Sequence, residues 1–204
     1  MSTDADGIAD FLSCLSGLEH KNGLLFKYLS EKTTLPSVKP LLLKIGEDNE
    51  KHSKQLQEIG EKIGNPKVKT KECTRKLSVV CENTEMILKQ ITKKETISIT
   101  ELSDYLEILE SAGGAAQYLL VQAETFLLMS REISKFYGMS GKEFSEFLND
   151  MVREIEEHIL LLEEITSKIE QHQNKGNKKQ PPFKYQTPDA WFMPSHSQKT
   201  GHVI

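Results

Sequence analysis

The sequence predicts an all-α protein, and three observations carry that prediction. Apolar residues recur at alternating steps of four and three, the spacing that lays one stripe along a helix of 3.6 residues per turn. No segment shows the two-residue alternation of a half-buried strand. Proline and glycine breakers separate five such stretches, each long enough to be a helix.

The first helix is expected from about Asp6 to Lys32, with Ile8, Leu12, Leu15, Phe26 and Leu29 on its stripe. Leu35-Pro36 breaks it, and both Pro36 and Pro40 suit a helix start, where a missing N–H costs nothing. The second runs from about Ser37 to Lys62 and stops at Gly64-Asn65-Pro66. A third, more basic helix covers about Lys69 to Lys94, with Cys73, Leu77, Val80, Ile87 and Ile91 in line. The fourth opens near Thr100, where Thr-Glu-Leu-Ser offers a cap, and reaches about Phe136. Gly113-Gly114 interrupts it, and each glycine costs about 1 kcal/mol relative to alanine inside a helix. Gly138 ends it, and the fifth helix follows from about Gly141 to His172. Residues 173–204 are dominated by Asn, Lys, Gln, Pro and Ser without a period, which predicts a disordered tail. Residues 1–172 thus form one helical unit, with the helix at about 69–94 inserted between two hairpins.

Bulk properties narrow the class. A chain of 204 residues is long enough for one well-buried core. A formal net charge of −4 argues against general nucleic-acid binding, which depends on neutralising phosphates. No apolar run approaches the roughly 20 residues that span a bilayer, and the acidic N-terminus has no basic leader region. A cytoplasmic, non-membrane protein is expected. Cys14, Cys73 and Cys81 form no CxxC pair and no even-numbered framework, so they read as small buried hydrophobes.

The second and fifth helices carry the same seam. Val38, Leu42, Ile45, Asn49, His52, Leu56, Ile59 and Ile63 each recur 106 residues later as Phe144, Leu148, Met151, Ile155, His158, Leu162, Ile165 and Ile169. Off the seam, Glu50, Glu58 and Lys62 match Glu156, Glu164 and Lys168. A histidine at one register with matching charges around it points to a duplicated hairpin. The partner helices correspond too: Glu19 lies 33 residues before His52, and Glu124 lies 34 before His158. Glu19, Asn22, Asn49 and His52 are therefore expected inside one half, and His158 with Glu124 inside the other. Buried carboxylates need a partner or a cation.

In Leu18-Glu19-His20-Lys21 with Phe26 and Tyr28, in Glu47 to His52, in Ala123-Glu124-Thr125-Phe126 and in Glu154 to His158, the chain resembles the ferritin-like superfamily, especially rubrerythrin-type members without a rubredoxin domain. The resemblance implies an antiparallel four-helix bundle with a carboxylate-bridged dimetal site between its helices, oxidase- or peroxidase-like redox chemistry, and a homodimer. Carried onto this sequence, it implies Glu19, His52, Glu124 and His158 as ligands for iron, manganese or zinc, with Asp48 and Glu154 as replacement carboxylates four residues before each histidine. The family's Glu-x-x-His motif is broken in both halves, because Asn49 and Ile155 stand three residues before the histidines. Two expectations follow: a weakly metal-binding redox protein with a reduced site, or a bundle that has lost the metal and acts as a non-enzymatic scaffold.

Outside the bundle core, Lys69, Lys71, Lys76, Lys89, Lys93 and Lys94 make a basic stripe on the third helix, read as a solvated face. His20 points about 100° away from Glu19 and is expected at the surface. In the tail, Trp191, Phe192 and Met193 lie between prolines, as a short docking segment for a protein partner would.

Overall fold

The computed structural model describes residues 4–64, 66–67, 70–111 and 141–176. These form α1 (Asp4–Lys32), a 3-10 turn (Pro36–Val38), α2 (Lys39–Ile63), α3 (Thr70–Ile91), α4 (Ile99–Ser111) and α5 (Gly141–Gly176). Among the described residues there is no strand; an isolated parallel bridge joins Thr33 to Ile97. The all-α expectation holds. The helix expected as far as Phe136 is described only up to Ser111, so Glu124 lies outside the described residues, as do Trp191, Phe192 and Met193.

α1 and α2 form a tightly packed antiparallel hairpin, and small residues at heptad spacing set how close they come. Ala9, Ser16 and Gly23 lie seven apart on α1, and Gly46, Ser53 and Gly60 lie seven apart on α2. A Cβ on Gly46 would stand 3.0 Å from the Gly23 carbonyl oxygen and 3.1 Å from the Lys27 nitrogen. One heptad along, the Ser16 hydroxyl donates to the Ser53 carbonyl at 2.8 Å. A further heptad on, a Cβ on Gly60 would meet Leu12 Cβ at 3.4 Å. Larger side chains at these levels would hold the two backbones apart.

α3 lies on the outer side of α1. The Thr84 hydroxyl donates to Asn22 Oδ1 at 3.0 Å, Lys21 pairs with Glu85, and the Lys32 ammonium donates to the carbonyls of Ile91 (2.9 Å) and Lys94 (2.7 Å), closing the C-terminal end of α3. Cys14 of α1 and Cys73 of α3 form a disulfide. That corrects the reading of the cysteines as unlinked hydrophobes, which holds only for the free, buried Cys81. The start of α4 also differs from expectation. Its cap is Ser98, two residues before Thr100: the Ser98 hydroxyl accepts from the Glu101 N–H at 3.3 Å, and Glu101 Oε2 accepts from the Ser98 N–H at 2.8 Å, a reciprocal capping box.

The buried apolar residues divide into two clusters. One gathers Leu12, Leu15 and Leu18 of α1 with Leu56 and Ile59 of α2, Cys81 of α3 and Met151 of α5. The other gathers Leu25 and Leu29 of α1 with Leu42 and Ile45 of α2, Ile87 and Ile91 of α3, the inner face of α4, and Ile165 and Ile169 of α5. Between these clusters α1 buries Glu19 and Asn22, α2 buries Asp48, Asn49, His52 and Ser53, α3 buries Thr84, and α5 buries His158 one turn after Ile155. A polar layer therefore crosses the middle of the interior.

Candidate functional site

The polar layer contains the residues that the repeat singles out. Seam periodicity puts His52 on the inner face of α2 and His158 on the inner face of α5, and both are buried, 1% and 6% exposed. Their ring centroids are 6.1 Å apart with a 42° tilt. The histidines thus meet across a shared interior.

Asp48 and Glu154 lie one turn before their histidines, and both turn inward toward the opposite helix. His52 Nε2 is 2.7 Å from Glu154 Oε2, and His158 Nε2 is 3.1 Å from Asp48 Oδ2. Each helix contributes an acid four residues before an imidazole, and each acid bonds the other helix's imidazole. This pattern requires α2 and α5 to run antiparallel with the two motifs level. It is the pseudo-symmetric counterpart of the sequence repeat.

The surroundings of the pairs differ. On the Glu154 side, Lys51 pairs with Glu154, and Glu19 approaches His52 from α1, with Oε2 3.7 Å from Nδ1. That separation is an ionic contact, too long for a hydrogen bond. Burial disfavours a charged His52, but Glu19 and Glu154 outweigh it and raise the imidazole above its usual 6.5. On the other side, burial governs His158 and carries it below the usual value. Its acid, Asp48, is shared with Lys44 at 2.6 Å, and the charge on His52 opposes a second one nearby. Burial alone would raise both acids, yet each is lowered: Asp48 by Lys44 and His158, Glu154 by Lys51 and His52. The opposite shifts make His52, between Glu19 and Glu154, the imidazole that holds a second proton more strongly than His158. His52 then donates from Nε2 to Glu154, and His158 donates from Nε2 to Asp48, leaving its Nδ1 unprotonated.

Glu19, only 2% exposed, carries the one loose end. Its Oε2 is buried and, among the described residues, accepts no hydrogen bond. Asn49 is buried on the seam, and Ile155 is buried where the second half would need a ligand. Asn22, expected in the same group, turns toward α3 and Thr84 instead. His20 is exposed, as its position on the helix predicts.

The described donors are engaged with one another. Both Nε2 atoms are engaged by carboxylates from the facing helix, and among the described residues no three His, Cys, Asp or Glu side chains converge as metal ligands. The seven-residue spacing of small residues on α1 and α2, which brings Glu19 within reach of His52, is a signal that the sequence itself carries. The second half lacks it on α5, where Val152, Ile159 and Thr166 stand at the equivalent positions.

No protein-family model matches the chain, and no curated protein and no solved structure matches it. Among the described residues, no helix is long and apolar enough to cross a membrane.

Proposed function

We propose that this chain is a divergent ferritin-like four-helix bundle whose core layer has passed from metal coordination to internal ion pairing, and that it works as a non-enzymatic helical scaffold. The observation that carries this reading is the reciprocal bonding of His52 to Glu154 and of His158 to Asp48. Imidazoles and carboxylates that satisfy one another have no need of a cation. Such a layer costs desolvation energy, and the return is a defined register between α2 and α5. Partner contacts are assigned to the outward side of α3, where Met86 and Lys89 are exposed, with Lys93 in the turn after it, and to the Trp191-Phe192-Met193 segment. The homodimer implied by the family resemblance belongs to the same reading.

A second reading, weak binding of one iron, manganese or zinc ion, is favoured by a single observation. Glu19 Oε2 is buried with no donor among the described residues, and a cation beside His52 would satisfy it.

Metal analysis of the purified full chain after incubation with each of the three ions separates the two. The scaffold reading expects no stoichiometric retention and an unchanged melting temperature. Stoichiometric metal that disappears in the His52→Ala/His158→Ala variant overturns it and supports the second reading.

A further inference from the structure

Outside the polar layer, the cysteine sulfurs are the chemically reactive groups among the described residues whose placement is unexplained. Cys14 and Cys73 join α1 to α3 across 59 residues of sequence, and Cys81 sits two turns further along α3, buried in the same apolar cluster as Cys14. We infer that the Cys14–Cys73 disulfide is a reversible redox clasp holding the first turns of α3 on the bundle, and that Cys81 is the thiol it guards.

Three placements support this. Cys73 is half-buried whereas Cys14 is buried, so an external thiol reaches the bond from the Cys73 side. Besides the packing of Cys73 and Cys81 in the apolar cluster, the described hydrogen bonds and ion pair of α3 to α1 lie beyond Cys81, at Thr84, Glu85 and Ile91. Before α3, the connection is held by the Lys67 N–H bonding Asp10 Oδ1 at 2.7 Å. Loss of the disulfide removes the covalent tie of the first turns of α3 to α1, and Cys81 lies eight residues beyond that tie on the same helix. Burial also raises the Cys81 thiol above its usual value, and Lys21 only partly offsets this, so the closed form is unreactive.

The exchange balances with a dithiol reductant. One thiolate attacks Cys73 Sγ, forming a mixed disulfide and releasing Cys14 as a thiolate that takes up a proton. The second thiol of the reductant then attacks its own mixed-disulfide sulfur, releasing Cys73. Two electrons and two protons pass to the protein, and the reductant leaves as its cyclic disulfide.

The test uses the full chain purified under air. Peptide mapping without reductant is expected to recover Cys14 linked to Cys73 and Cys81 unlinked. N-ethylmaleimide labelling of Cys81, followed by intact mass, is then compared before and after dithiothreitol treatment and desalting. The clasp requires at least about tenfold faster labelling of Cys81 after reduction, with the helical circular dichroism retained, as local opening would give. The Cys14→Ser/Cys73→Ser variant is expected to label at the faster rate without any reductant. Three free thiols in the air-purified protein, a bond through Cys81, or a Cys81 rate that reduction leaves unchanged overturns the inference.

Discussion

Replacing Glu154 by Gln tests the asymmetry of a layer that is symmetric in sequence. Glu154 is the acceptor nearest His52, at 2.7 Å, and His52 is 1% exposed. A hydrogen bond to a charged group contributes about 1.5–3 kcal/mol, and removing one partner of a buried ion pair costs about 3–5 kcal/mol. Glu19 stays beside His52 and softens the loss, so Glu154→Gln is expected to destabilise the protein by about 3 kcal/mol. The equivalent substitution, Asp48→Asn, leaves a neutral His158 with an amide that still accepts its N–H. Its lost contact with the half-exposed Lys44 is worth under about 1 kcal/mol, so the total is expected near 1 kcal/mol. Urea unfolding at pH 7, read as midpoint shifts at equal slope, measures both. Equal costs for the two variants, or a larger cost for Asp48→Asn, would refute the assignment of the charge to His52.

Stability should peak near neutral pH in urea titrations repeated across pH. The raised His52 contributes stability below its unfolded value of 6.5 that is lost as pH climbs through its folded value; the lowered His158 loses stability as pH falls below 6.5, and Asp48 and Glu154 lose theirs as pH falls below about 4. His52→Gln should remove the alkaline decline and keep the acid one. Gly46→Ala should cost about 1–2 kcal/mol in thermal unfolding, because its Cβ meets the Gly23 carbonyl, whereas Gly17→Ala, with open space around it, should add about 0.5–1 kcal/mol. Ser98→Ala removes the α4 cap and should cost about 1 kcal/mol. The same change should release Glu101 upward from about 2, although Lys94, its principal partner, remains, and carboxyl carbon shifts in an NMR titration would follow it.

The fold was legible wherever one periodicity settled the matter. The α2 and α5 seams show their buried faces in the four-three spacing alone, and the shared register of His52 and His158 foretold that both imidazoles would be interior. Helix phase places a residue on one helix only, and says little about what faces it. Asp48 and Glu154 looked like substitutes for ligands on their own helices, but the antiparallel crossing of α2 and α5 delivers each to the opposite histidine. Asn22 shares the stripe of Glu19, yet α3 lies close enough to claim it through Thr84. The pairing of Cys14 with Cys73 depends on the same placement of α3 against α1, which no local pattern encodes. At the start of α4, Ser98 and Thr100 are both good capping residues, and the Glu three residues after Ser98 was the deciding feature.

Long-range proton–nitrogen spectra of the two imidazoles, followed through a pH titration, test the crossed pairing most directly. His52 should titrate above and His158 below about 6.5, with Glu154→Gln lowering His52 and Asp48→Asn shifting His158. If the two rings titrate together at that value, or each responds only to the acid on its own helix, the reciprocal layer does not exist.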